Sequence, residues 1–318
     1  MPDSELPQSL QPDVSPQAVT LPEPPSAPLT APPWQRLLRN PRSLAALALI
    51  VLMIFLALSA PILAPYSYSY QERGSELVSP RAAHWMGTDE LGRDVFSRMM
   101  YGAQISMVVG ILATSISLLI GVNIGLFSGY FGGWVDAFLM RLTDTVAAFP
   151  TLLFALAIAA VLQSDVTHSE VYPLLQPQVR ILFIALGVVG WTGIARIVRS
   201  QVLSVRTLDY VTAARALGAG EMRVIFKHVL PNCVSPIIVV ATLAVGGNIL
   251  GEAGLSFLGL GVQPPFPSWG GMLSDARSHF RDYWWVAVCP GMAIVLTVLS
   301  FNLLGDGLRD ALDPKSRS

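Results

Sequence analysis

Residues 44–63, LAALALIVLMIFLALSAPIL, contain no charged side chain. An α-helix needs about 20 apolar residues to cross the ~30 Å hydrocarbon core of a bilayer. The run is also longer than the roughly 7 to 15 residues of a cleaved signal-peptide core. Arg36, Arg39 and Arg42 stand just before it. It reads as a retained membrane anchor, and five further apolar segments follow at residues 105–127, 146–162, 179–198, 234–257 and 284–304. In lipid every backbone N–H and C=O must find a partner inside the protein, which leaves helices as the form for such runs. The expected fold class is an all-α integral membrane protein with six transmembrane helices.

Composition agrees with that class. Of 318 residues 53% are hydrophobic and 13% charged, against about 25% charged in soluble domains. The net charge of −1 offers no basic surface for nucleic acid. Six crossings put both termini on one side. Thirteen of the twenty Lys and Arg residues, among them Arg36, Arg141, Arg199, Arg215, Lys227 and Arg309, fall on that side, and the seven on the other include Arg73, Arg93, Arg98 and Arg277. By the positive-inside rule the termini are expected in the cytoplasm of a multi-pass plasma-membrane protein.

The chain divides into four parts. Residues 1–33 hold ten prolines and no Lys or Arg, a composition expected to stay disordered. Residues 34–100 carry the first crossing and an extracytoplasmic segment, 101–305 the membrane core, and 306–318 a cytoplasmic tail. Glycines in the crossings, such as Gly110, Gly121, Gly125, Gly187 and Gly247, are expected to let helices pack closely. Tyr66, Tyr68, Tyr70, Trp284 and Trp285 fall where aromatic side chains anchor at headgroup level. Cys233 and Cys289 are expected near opposite faces of the bilayer, too far apart for a disulfide.

The longest cytoplasmic loop reads TLDYVTAARALGAGEMRVIFKHVLP over residues 207–231. Tyr210, Ala213, Ala214 and Leu217 recur at helical spacing, with Thr207 placed to cap and Asp209 in the first turn. Gly218 and Gly220 break this helix. Met222, Ile225, Phe226 and Val229 share one face of a second, with Glu221 at its start and Pro231 expected to close it. A helix-turn-helix with an exposed elbow results.

Ala213, Ala214, Gly218, Leu230 and Pro231 match, in register, the loop signature of the membrane-spanning subunits of binding-protein-dependent ABC importers, which the chain resembles. Thr212 stands where the signature has Glu, and His228 where it has Ile. HWMGTDELGRDVFSRMMYGAQIS from His84 and GEAGLSFLGLGVQPPFPSWGGML from Gly251 are similar to the C-type permease of the dipeptide, oligopeptide and nickel branch. The resemblance runs from about residue 36 to 312. It implies a type I ABC importer permease fold in a bacterial inner membrane. It also implies a heterodimer with a paralogous permease, two ATP-binding subunits that carry ATP and Mg, and an extracytoplasmic substrate-binding protein. The elbow, residues 207–233 with Tyr210, Ala213, Ala214, Arg215, Gly218, Leu230 and Pro231, would couple the bundle to the ATPase.

No chemistry of its own is expected of the chain. A phosphate-binding loop needs G-x-x-x-x-G-K-S/T, but the only lysines, Lys227 and Lys315, follow Phe226 and Pro314. Gly254, Leu255 and Ser256 spell G-x-S, but His84, His168, His228 and His279 all fall in loops, so a serine hydrolase lacks its base. No H-E-x-x-H or C-x-x-C pair suggests a metal. In the segment GTDELGRD, Thr88 is placed to cap a helix and Asp89 to pair with Arg93. Asn248 and Glu252 lie in an apolar run and are candidates for the pathway or its gate. A carboxylate there would suit a peptide's amino terminus, and Glu252→Gln is then expected to lower transport without harming assembly. The alternative function, an ion-driven secondary transporter, would need paired polar sites at a repeat interface.

Overall fold

A computed structural model describes residues 32–163 and 177–312. The proline-rich stretch up to residue 31, His168 and residues 313–318 lie outside the described residues. The described chain is nearly all helical. In order it forms α1 (Pro33–Arg39), α2 (Pro41–Leu63), α3 (Val95–Phe131), α4 (Gly133–Ala147), α5 (Thr151–Gln163), α6 (Pro177–Val205), α7 (Asp209–Ala216), α8 (Glu221–Val224), a π-helix (Ile225–Val229), α9 (Leu230–Phe257), α10 (Trp269–Asp275) and α11 (Trp285–Leu312). α2, α3, α6, the continuous stretch Glu221–Phe257 and α11 are long and apolar enough to cross a membrane, and α4 with α5 makes a sixth, bent candidate.

α2 starts where Pro41 follows the cap Asn40, whose Oδ1 accepts from the N–H of Arg42 at 3.1 Å. Pro at the first helical position forfeits only an N–H that would be unpaired anyway. α3 has 37 residues, about 55 Å of helix, so it extends beyond the hydrocarbon. Its packing on α6 is set by a glycine ridge. A Cβ on Gly125 would lie 2.6 Å from the Ala195 carbonyl oxygen, and one on Gly129 2.9 Å from that of Arg199. Gly121 meets Ile194 and Trp191 in the same way, so the expected close packing holds here. Gly247 is different, with nothing near its missing side chain.

The third crossing departs from the expectation of one straight helix over 146–162. α4 and α5 meet at 83°, with Pro150 at the break. Asp136 and Asp144 lie on α4, before the 146–162 run begins. Asp136 takes two bonds of 2.6 Å from Arg199, and Asp144 takes one of 2.8 Å from Arg196.

Pro231 does not close a helix as expected. The backbone passes from a π-helix at Ile225–Val229 straight into α9, whose second residue is Pro231, and the N–H of Leu230 reaches back to the Ile225 carbonyl. The wider turn accommodates a residue with no N–H to donate. α11 likewise continues to Leu312, into the segment read as a tail. A Cβ on Gly307 of α11 would touch Ser43 and Leu37, so both ends of the described chain lie at the same end of the bundle.

At the opposite end, residues 64–94 fold by polar contacts. Buried His84 bridges Glu72 and Asp94, each at 2.9 Å, and its hydrogen bond holds the Glu72 carboxyl below its usual value. The cap of α3 is Asp94, accepting from the Ser97 N–H at 2.8 Å and Oγ at 2.7 Å. Thr88 instead takes the Val78 N–H at 2.8 Å. The expected Asp89–Arg93 pair is present at 2.6 Å, and Arg93 and Arg98 reach on to Asp275 at 3.6 and 3.8 Å. Trp285 is not a headgroup anchor: it is 6% exposed, and its indole N–H donates to the Thr88 carbonyl at 3.1 Å. Cys233 and Cys289 are free thiols.

Candidate functional site

Two regions hold the residues singled out in the sequence. The first is the elbow. α7 and α8 form as the spacing implies, joined through Gly218 at φ +82°, a left-handed conformation that costs a residue with a side chain roughly 1–2 kcal/mol. Thr207 does not cap α7; Leu208 occupies that position, and the Thr207 hydroxyl donates to the Ser204 carbonyl at 3.0 Å. The apolar residues also divide differently from expectation. Val211, Val224, Ile225 and Val229 are buried against Leu126, Tyr130, Val198 and Val202 of α3 and α6. Tyr210, Ala213, Leu217, Met222 and Phe226 face outward, Leu217 being 89% exposed. Ala214 and Leu230 are half-buried, and Pro231 is exposed. The elbow thus presents exposed apolar side chains on a buried base.

Polar contacts tie this elbow to the end of α3. The Arg215 guanidinium lies 4.7 Å from the centre of the Tyr130 ring, and its Nε donates to the Tyr130 hydroxyl at 3.3 Å. That hydroxyl donates in turn to the Glu221 carboxylate. Arg206 donates to the carbonyls of Gly129 at 2.8 Å and Tyr130 at 3.1 Å. Glu221 is thus the acid bonded into the elbow, and Thr212 is exposed. Tyr130 was missed because it lies 85 residues from Arg215, and nothing in its local pattern marks it.

The second region is an apolar groove of about 690 Å³ between α5, α6, α9, α10 and α11. Leu152, Leu186, Gly190, Gly254 and Ile294 help to line it, as does Asn248, whose Nδ2 donates to Thr114 Oγ1 at 2.9 Å. Gly247 and Gly291 in its wall have no neighbour within 4 Å, which leaves bare backbone facing the groove. Glu252 does not line the groove. α9 turns it toward α3, where it is 0% exposed and accepts from Ser106 Oγ at 2.9 Å and Ser256 Oγ at 2.6 Å. Those bonds also account for the serine of the G-x-S sequence.

Residues 121–318 match the family described as binding-protein-dependent transport system inner membrane component. The chain belongs to that family. This permease also matches the N-terminal TM domain of oligopeptide transport permease C over residues 33–80. It is 42% identical over 290 residues to the dipeptide transport system permease protein DppC of Alkalihalophilus pseudofirmus, covering 90% of this chain and 91% of that one. Identity to the glutathione transport system permease protein GsiD of Pectobacterium atrosepticum is 42% over 288 residues, with 90% and 91% covered. The fold is shared with the MetNI methionine ABC transporter in inward-facing form, with a TM-score of 0.52, 17% identity, and 68% of this chain and 96% of that chain covered. The permease is thus a multi-pass inner-membrane subunit of a binding-protein-dependent ABC importer, a family of transport proteins that work with an ATPase and a substrate-binding protein.

Proposed function

We propose that this permease forms half of the pathway of an ATP-driven importer of dipeptides or short oligopeptides, and that α7 and α8 receive the mechanical work of the ATPase. The observation that carries the proposal is the elbow. Its outer side presents Tyr210, Leu217, Met222 and Phe226 unpartnered, while its inner side is locked to α3 and α6. Force applied at Arg215 and Gly218 would pass through Tyr130 into the long helix α3. The relatives named for dipeptide and glutathione transport support a peptide-like cargo.

On this reading both termini are cytoplasmic, as the Lys and Arg distribution favours. ATP and Mg are held by two partner subunits, which carry out the hydrolysis. The groove with Asn248 is one wall of the route, and a paralogous permease closes it from the other side. A groove walled on one side by this chain favours a heterodimer.

Uptake of a labelled dipeptide by cells expressing the whole system is expected to collapse on ATP depletion and to persist when an ionophore dissipates the ion gradients. The reverse pattern, sensitivity to the ionophore alone, would establish the secondary-transporter alternative.

A further inference from the structure

Glu252 is a fully buried carboxyl that the elbow and the groove leave unused. Its Oε2 accepts from Ser106 of α3, and its Oε1 from Ser256 of its own helix. Ser106 Oγ also takes the backbone N–H of Trp269, the first residue of α10, at 3.3 Å. Ser256 Oγ lies 3.5 Å from Ser268 Oγ, the cap of α10. Trp269 is itself buried, and its indole N–H donates to the Met99 carbonyl of α3 at 3.1 Å. Packing is equally close: a Cβ on Gly270 would stand 2.5 Å from Ala253 Cα. α10 is thus held on α3 and α9 through hydroxyls that converge on one carboxyl. Leu273 of α10 meanwhile lines the groove beside Ala253 and Phe257.

The same two helices are joined at their other ends. Tyr130 near the end of α3 donates to Glu221, at the start of the continuous stretch Glu221–Phe257. Ser106 and Tyr130 are 24 residues apart on one unbroken helix, about 36 Å along its axis. A hydroxyl–carboxyl pair therefore ties α3 to the α9 stretch at each end, one beside the elbow and one beside α10.

We propose that α10 is the gate over the groove's outer end and that Glu252 is the positioning residue that holds it shut. A movement of α3 driven at Tyr130 strains the Ser106–Glu252 bond at the far end, and α10 leaves the groove when that bond yields. Glu252 acts through its two hydroxyl partners and does not meet the cargo. This deepens the importer reading and rests on it. It also reverses the expectation for Glu252→Gln, because a glutamine amide has an oxygen to accept one hydroxyl and an NH₂ to donate to the other.

The test uses the complete assembly in proteoliposomes: this permease, its partner permease, the ATPase subunits and the substrate-binding protein. Glu252→Ala is expected to raise ATP hydrolysis without the binding protein by about tenfold, the order of population shift that losing buried hydrogen bonds to a carboxyl permits. Uptake per ATP should fall. Glu252→Gln should restore hydrolysis to within about twofold of the unaltered protein, since both bonds persist. Unstimulated hydrolysis unchanged in Glu252→Ala, or a glutamine variant as leaky as the alanine one, would overturn the proposal. Should Glu252→Ala fail to assemble, Ser106→Ala makes the smaller excision. A rise in unstimulated hydrolysis supports the gate, and none overturns it. An unaltered assembly whose hydrolysis ignores the binding protein would contradict the importer reading instead.

Discussion

Arg215→Glu is expected to leave the permease assembled in the membrane while uptake per ATP hydrolysed falls by about tenfold or more, because coupling free energies between sites are only about 1–3 kcal/mol. The joint it breaks is of the same order. A guanidinium over an aromatic ring contributes roughly 0.5–2 kcal/mol, and Arg215 also donates to the Tyr130 hydroxyl. A glutamate there loses both contacts and sets a second carboxylate near Glu221, which already accepts from Tyr130. The apolar base under the elbow, Val211, Val224 and Ile225, is untouched, so folding should survive. Arg215→Lys keeps the charge and should be intermediate. Dipeptide uptake and phosphate release measured on the same proteoliposomes check this, and normal coupling in Arg215→Glu would remove the elbow from the mechanism.

Gly125→Leu is expected to act on folding instead. Its Cβ would fall 2.6 Å from the Ala195 carbonyl oxygen and 3.0 Å from the Arg199 nitrogen, and backbone atoms cannot rotate aside as a side chain can. Overpacking of this kind costs roughly 1–3 kcal/mol, and one or two kcal/mol changes the ratio of folded to unfolded protein by about 5- to 30-fold. Separating α3 from α6 would also pull apart the Arg206 bonds to Gly129 and Tyr130. The amount of monodisperse permease recovered from membranes should drop accordingly. Gly247→Ala, at a glycine with no neighbour within 4 Å, should be recovered in full. Equal recovery of both variants would contradict the α3–α6 packing.

The long spans were legible because nothing but a helix satisfies twenty apolar residues in lipid. The helix α2 exceeds the apolar run at 44–63 only by Pro41, Arg42 and Ser43 at its start. The extension of the third span back through α4 was not legible, since the partners of Asp136 and Asp144 are Arg199 and Arg196, over fifty residues away. Pro231 misled for a similar reason: a proline predicts a helix end, and only the π-helix before it shows how the chain passes through. In the elbow the helical spacing and the Gly218 break were visible, but which apolar face turns inward depends on α3 and α6. Glu252 marks the limit most plainly. Its place in an apolar run drew notice, while its orientation, away from the groove and toward Ser106, is set by a helix 146 residues distant.

On the proposed reading this chain moves cargo only as part of an assembly whose ATPase sits on α7 and α8. Tagged permease should be purified in mild detergent from membranes that transport dipeptide, and its partners identified by mass spectrometry, with and without Gly218→Val. A second permease and ATPase subunits are expected with the unaltered chain, and the ATPase subunits alone should be lost from the Gly218 variant. Recovery of the chain by itself from transport-active membranes would contradict it.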